Sequence, residues 1–308
     1  MANFEIMAVL FAIVIVGYVA GRLGYMGGDF DRRLSNLVID FTCPALILSS
    51  TMTGTLPDRQ LILPLLAISV LTYVLLTLAA LWLPPLLTRR KEDRGVVGFA
   101  LMFGNVGFIG YPVVASIFGH EAVFYTAVLN VVNTFAVFTV GTMLLAGRGA
   151  GTPRSRREWI RLLVSSPMVA AYLSMLIVAL GINNIPSVVS QPLTIIGNIT
   201  VPAALLIIGS SLSQLPLRTM LGNRTVYVTA LFRLALLPLA LYAITTALGF
   251  SPLVVSINTV VIAMPVATYG TILCLKLGRD TALITELTFI TTLIAVCSIP
   301  LVALLLRA

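Results

Sequence analysis

The chain predicts an all-α integral membrane protein, with ten transmembrane helices arranged as two inverted five-helix repeats and with helices four and nine broken. Three observations predict it. Of 308 residues, 59% are hydrophobic and only 10% charged, and the mean hydropathy is +1.06, which no water-soluble globule of ordinary composition reaches. The apolar residues fall into ten stretches, each near the roughly 20 residues that a bilayer requires. Two stretches are interrupted at matching places, by Gly104-Asn105-Val106-Gly107-Phe108-Ile109-Gly110-Tyr111-Pro112 and by Ala263-Met264-Pro265-Val266-Ala267.

The first stretch, Phe4 to Gly24, is too long for the apolar region of a signal peptide. Met1 to Met7 carries Glu5 and no Lys or Arg, so a retained helix is expected. Its Gly17-Tyr18-Val19-Ala20-Gly21 is a GxxxG, compatible with a close helix contact or with a dimer. Leu34 to Gly54 follows, with Asp40 at depth, and then Leu61 to Leu83, which has no charge. Gly95 to Phe118 holds the first interruption. Ala122 to Leu145 carries Asn130 and Asn133 on neighbouring turns of one face. After the polar link Arg148 to Trp159 come Ser165 to Gly181, Val188 to Leu212 and Val226 to Gly249, the last with Arg233 inside it. Leu253 to Lys276 holds the second interruption, and Thr281 to Leu306, with Glu286 near its start, completes the set.

Cys43, Cys274 and Cys297 all lie inside apolar stretches without metal-ligand spacing, so neither a disulfide framework, a metal nor a cofactor is expected. Most of the 19 Lys and Arg follow the odd-numbered stretches, in clusters such as Arg89, Arg90, Lys91 and Arg94. The positive-inside rule then puts that face in the cytoplasm of a cell-membrane protein, with both termini outside. The formal charge of +8 is thus a topology signal scattered over short loops, and no nucleic acid partner is expected.

The halves repeat. Ser35 to Ala45 aligns with Leu193 to Ala203 at a shift of 158, and Gly119-His120-Glu121 with Gly278-Arg279-Asp280 at 159. An odd number of helices per copy makes the second enter from the opposite side, the geometry of alternating access. The repeats are expected over 1–147 and 161–308, with a cytoplasmic linker at 148–160.

Helix breakers at membrane depth are tolerated only where the freed backbone groups line a cavity or are buried in protein. Gly107, Gly110 and Pro112 are expected to split the fourth helix, leaving half-helix ends whose N–H groups favour an anion. Asn105 would add a directional hydrogen bond, and Met264 and Pro265 form the opposing break. Asn130 and Asn133 either line the site or bond helix to helix. Asp40, Arg233 and Glu286 are costly in lipid and must face protein or water. Arg233 either attracts the anion or pairs with Asp40 or Glu286, and the two carboxylates could carry a coupling proton. There is no HExxH, GxSxG, GxxxxGK[ST] or paired CxxC, so an enzyme or an ATP-driven pump lacks its chemistry and gradients must supply the energy.

The Asn105-x-Gly107-Phe108-x-Gly110-x-Pro112 stretch, the Pro44 and Pro202 segments, the Met264-Pro265 break and the ten-helix frame resemble the auxin efflux carrier family. That family includes plant auxin exporters and bacterial malate or malonate permeases, and the chain resembles the bacterial branch. The resemblance implies a fold like the bile acid sodium symporters. Helices one, two, six and seven would form a scaffold, and helices three to five and eight to ten a transport domain in which helices four and nine cross beside the anion. It also implies a homodimer through the scaffold. Plant exporters place an acidic and a basic residue in helix three, and this chain has neither.

A secondary carrier of small organic anions, mono- or dicarboxylates, working by elevator-type alternating access in the lipid bilayer, is the function expected. A sodium-coupled symporter or a sodium/proton antiporter on the same fold is the first alternative. A non-transporting membrane receptor or assembly partner is the second, and leucines at Gly107 and Gly110 would disable a carrier but spare an interaction protein.

Overall fold

A computed structural model describes residues 2–52, 57–146, 164–182, 184–214 and 224–306. The expected linker at 148–160 lies outside the described residues. Every regular element among those residues is helical. In chain order they are α1 (Ala2–Arg22), α2 (Gly28–Leu37, Val38–Thr42 and Cys43–Ser49 in succession), α3 (Ile62–Trp82), α4 (Arg94–Met102, then Val106–Gly110 and Tyr111–Phe118) and α5 (Ala122–Ala136, Val137–Gly141 and Thr142–Ala146). Then follow α6 (Ser166–Leu180), α7 (Ser187–Gly197 and Thr200–Ser213), α8 (Arg224–Leu231, Phe232–Leu236 and Leu237–Ala247), α9 (Pro252–Ile262 and Tyr269–Lys276) and α10 (Ala282–Leu305).

Five of the described helical runs are long and apolar enough to cross a bilayer unaided: Arg59–Trp82, Ala122–Ala146, Ser187–Ser211, Arg224–Ala247 and Ala282–Ala303. With these runs and this composition, the chain is an integral membrane protein. Large apolar side chains such as Leu63, Val70, Val74 and Trp82 on α3 face outward, as a helix against lipid requires.

Prolines follow widened turns in three of these helices without breaking them there. Val38–Thr42, Val106–Gly110 and Phe232–Leu236 are π-helical turns, and each ends two residues before a proline: Pro44, Pro112 and Pro238. The proline ring crowds the carbonyl four residues back and offers it no N–H, so the preceding turn widens.

The contacts divide the chain into two compact units. The first comprises Met1–Leu63, Gly107–Val131 and Arg154–Leu215, and the second Pro64–Val106, Val132–Pro153 and Pro216–Ala308, so each draws on both halves of the sequence. In the first unit α1 runs against α7 with almost no space between backbones. A Cβ on Gly17 would overlap Leu206 O, one on Gly209 would overlap Val14 O, and one on Gly21 would overlap Ser213 Oγ. The GxxxG of α1 therefore serves a helix contact within the chain. Cys43, Leu46 and Ile47 of α2 form a buried core with Tyr111, Val123, Ala127, Ala170 and Ala171. Asp31, buried at the start of α2, accepts from Gly27 N at 3.0 Å, Ser210 Oγ at 2.6 Å and Gln214 Nε2 at 3.2 Å, which ties α2 to α7. Midway along, Thr200 Oγ1 donates to Thr42 Oγ1 at 2.9 Å, both buried.

In the turn before α5, His120 lies 3.1 Å from Ser49 Oγ through Nε2, and its partial burial pushes its pKa below the usual histidine value, the Ser49 contact opposing the shift. The folded state thus binds this proton less readily than the unfolded chain does. That contribution to stability is whole above the unfolded pKa of about 6.5 and is lost as pH falls through the lower folded value. The melting temperature should fall with acidification across that window, and a histidine-to-asparagine change at 120 should flatten the fall. An unchanged slope in the variant would remove His120 as its source.

In the second unit Phe99, Leu101, Met102 and Phe103 of α4 are buried with Leu65, Ile68 and Leu76 of α3 and with Ile257, Ile262 and Met264 of α9. Asn258 Nδ2 donates to Thr72 Oγ1 at 3.0 Å inside this core.

Candidate functional site: the crossing of two broken helices

The two interruptions meet within the second unit. The first part of α4 ends at Met102 and the chain runs extended through Phe103, with φ −113° and ψ 119°. The first part of α9 ends at Ile262. Asn105 N donates to Pro265 O at 2.8 Å and Ala267 N to Phe103 O at 3.0 Å, pairing Gly104 with Val266 in the antiparallel sense. Val266 N donates to Thr291 Oγ1 of α10 at 3.0 Å. Backbone groups that the breaks set free thereby satisfy one another and a neighbouring side chain, as burial demands.

Arg233 sits beneath this pairing, 1% exposed, in the π-helical turn of α8. Nε donates to Met264 O and Nη1 to Leu101 O, each at 3.0 Å. Both acceptors belong to the carboxyl ends of broken helices, where carbonyls lack partners and each end carries roughly half a negative charge. One planar guanidinium fork answers both ends and cancels their charge. Among the described residues no carboxylate forms an ion pair with Arg233. Of the roles open to it on sequence grounds, the geometry selects neither carboxylate pair; its partners are carbonyls.

Gly104 is the space in which this side chain lies. A Cβ there would overlap Arg233 Nη2 and approach Met264 Cβ and O at 3.2 Å. The other breakers act otherwise than expected. None of Gly104, Gly107 and Gly110 takes a positive φ, helix resumes at Val106, and Gly110 is helical at φ −64° and ψ −51°. The break thus occupies 103–105 rather than the whole of 104–112. A Cβ on Gly107 meets no atom within 4 Å, so leucine there tests little by itself.

Asn105 and Asn133 are each 8% exposed and Met264 is fully enclosed, all in the second unit with Pro265. Asn133 Oδ1 accepts from Tyr73 OH at 2.7 Å, and the Tyr73 ring stacks on Phe103 with centroids 6.2 Å apart and planes 20° apart. The asparagine is thereby linked to the break through two aromatic rings. Gly107, Gly110, Pro112 and Asn130 fall in the first unit, where Asn130 Nδ2 donates to Tyr111 OH at 3.2 Å. Asp40 is exposed on the first unit, and Glu286 lines an open cleft of the second. Tyr73, Phe103 and Thr291 are not among the residues that the sequence singles out. A hydroxyl in an otherwise apolar helix was the available signal for Tyr73 and Thr291, and its pairing partner could not be read without the fold.

An all-helical apolar chain whose two interrupted helices pair at a buried arginine defines a multi-pass membrane protein of transporter type. The chain belongs to the membrane transport protein family, that of the auxin efflux carriers, which matches residues 2–303. It is 28% identical over 311 residues to an uncharacterized transporter of Methanothermobacter thermautotrophicus, covering 98% of this chain and 97% of that one. An uncharacterized transporter of Methanocaldococcus jannaschii is 25% identical over 297 residues, 95% of each chain. A Rhizobium meliloti protein provisionally named a malonate transporter is 22% identical over 307 residues, 97% of this chain and 94% of that one.

Proposed function

We propose that the chain is a secondary carrier of small organic anions, with malonate-sized carboxylates as the substrate class, working by elevator-type alternating access. The observation that carries this is the pairing of two broken helices above an arginine that no carboxylate neutralises. The guanidinium cancels the carboxyl ends of the first parts of α4 and α9. Within the second unit the pole left over is the amino end of the second part of α9, which is positive and favours an anion. Asn105, between the pairing and the resumed α4, would orient it. The name of the Rhizobium relative points to the same chemistry.

Inverted repeats are part of this reading. Thr42 and Thr200 are 158 residues apart, the shift at which the halves align, and they bond to each other. Two equivalent residues can touch only on the axis that relates their copies, which supports a pseudo-two-fold within the first unit. The antiparallel pairing of the two breaks has the same symmetry in the second. Ten spans, termini outside the cytoplasm, a scaffold moving against a transport domain, and a homodimer through that scaffold complete the reading. Asp40 and Glu286 are the carboxylates available for proton coupling.

Purified protein in liposomes should take up labelled malonate saturably, compete with malate or lactate, and respond to an imposed pH or sodium gradient. Uptake that requires sodium would assign the symporter alternative. Neither uptake nor exchange across a panel of carboxylates would overturn the carrier reading.

A further inference from the structure

At one end of the second unit a cleft of about 880 Å³ opens between the turn after α3 and the first turns of α8 and α10. Its volume lies in the range of sites that hold small ligands. Arg89 and Arg90 come from the turn, Arg224 from the start of α8, and Asp93 and Glu286 are the acidic groups of the lining. The turn is fixed: a separate helical turn, Pro84–Leu87, follows α3, and Arg90 N donates to Thr88 Oγ1 at 3.3 Å, with Thr88 buried. Arg89, Arg90 and Arg224 are exposed, and none of them is in an ion pair among the described residues. Burial pushes the Asp93 carboxyl above its usual pKa, with Arg90 opposing and Glu92 and Asp280 adding to the rise.

Beside the three arginines the surface turns apolar. Leu86, in the lining, is 80% exposed, and Trp82, one turn earlier, is 74% exposed. An exposed Trp next to exposed Arg marks the level of the lipid headgroups, and this is the arginine-rich face that the positive-inside rule assigns to the cytoplasm. Guanidinium groups bind phosphate oxygens by paired hydrogen bonds, and basic pockets at helix ends on that face suit anionic headgroups. We propose that this cleft binds the phosphate of an anionic membrane lipid, whose acyl chains lie over Leu86 and Trp82. A soluble phosphate would use the same three arginines but would have no use for the apolar rim. The inference stands whether or not the chain carries carboxylates.

The test is the retention of phosphatidylglycerol against phosphatidylcholine by the full-length protein, read by native mass spectrometry after detergent exchange. The wild type should keep one phosphatidylglycerol in preference. Arg89→Gln, Arg90→Gln and Arg224→Gln together should weaken that binding by about a hundredfold, each basic residue near the surface contributing roughly a factor of five. Arg32→Gln with Arg33→Gln, an exposed pair bonded to Asp29 in the first unit, should leave it unchanged. Equal loss in that control would reduce the effect to general surface charge and overturn the proposal. Displacement of the lipid by millimolar inorganic phosphate would overturn the choice of lipid. Retention by a triple variant that melts like the wild type would overturn the site itself.

Discussion

Arg233→Ala is expected to abolish anion uptake and to lower the melting temperature of the protein as well. On the sequence alone the residue either attracts the anion, so that its loss spares the fold, or pairs with Asp40 or Glu286, and the structure gives it different partners. Nε and Nη1 are the partners of Met264 O and Leu101 O, so alanine strands two buried carbonyls and opens a cavity. Each stranded carbonyl costs about 1–3 kcal/mol. A loss of roughly 2–6 kcal/mol is a large part of the stability of any single fold. Arg233→Lys keeps the charge but gives up the planar fork, and it can serve both carbonyls only with poorer geometry. It should melt between the wild type and alanine and retain part of the uptake. Alanine melting like the wild type would refute the capping role. Lysine with full stability and no uptake would instead make the guanidinium a direct ligand of the anion.

Gly104→Ala is the second large effect, and it reaches the same arginine from the other side. The added methyl falls on Nη2, with Met264 Cβ and O at 3.2 Å, so either the guanidinium or the paired backbone must move. Overpacking of a fixed core costs roughly 1–3 kcal/mol. The displacement is at the break itself, so uptake should fall at least tenfold while the protein still assembles. Gly107→Ala is the matched control, since its methyl meets open space, and its melting temperature should equal that of the wild type. Thermal unfolding and malonate uptake measured on both variants decide the matter. A Gly104→Ala protein with wild-type uptake would show that the spacing of the break is not tuned.

The helical, membrane-embedded class of the fold was legible because composition and hydropathy act along the chain. An apolar stretch and a Pro-containing interruption are local facts, and the second break lies where the sequence puts it, whereas the first is confined to 103–105 at the edge of the expected stretch. What each residue does at the break was less legible. Pro112 looked like the breaker of α4, yet its ring only widens the turn before it, and the extended backbone lies upstream at Phe103 to Asn105. Three glycines looked like conformational licences, and the one whose size matters at the crossing, Gly104, owes its place to a side chain 129 residues away in sequence. Arg233 drew attention as a charge at depth, but a carbonyl partner has no signature in sequence, because every residue has a carbonyl. Tyr73 was hidden for a related reason. Its hydroxyl matters only because Asn133 faces it.

The bond from Arg233 to Leu101 spans 132 residues. A ribosome releases the first part of α4 long before it has made α8, and Met264 comes later still. Through that interval the carboxyl end of the half-helix sits in or near the membrane without the cation that will hold it. Domains form in the order they are synthesised, and unpaired polar groups are what quality control detects. The first half of the chain is therefore a dependent nascent intermediate, and a truncation before α8 should be degraded where one after α10 is spared.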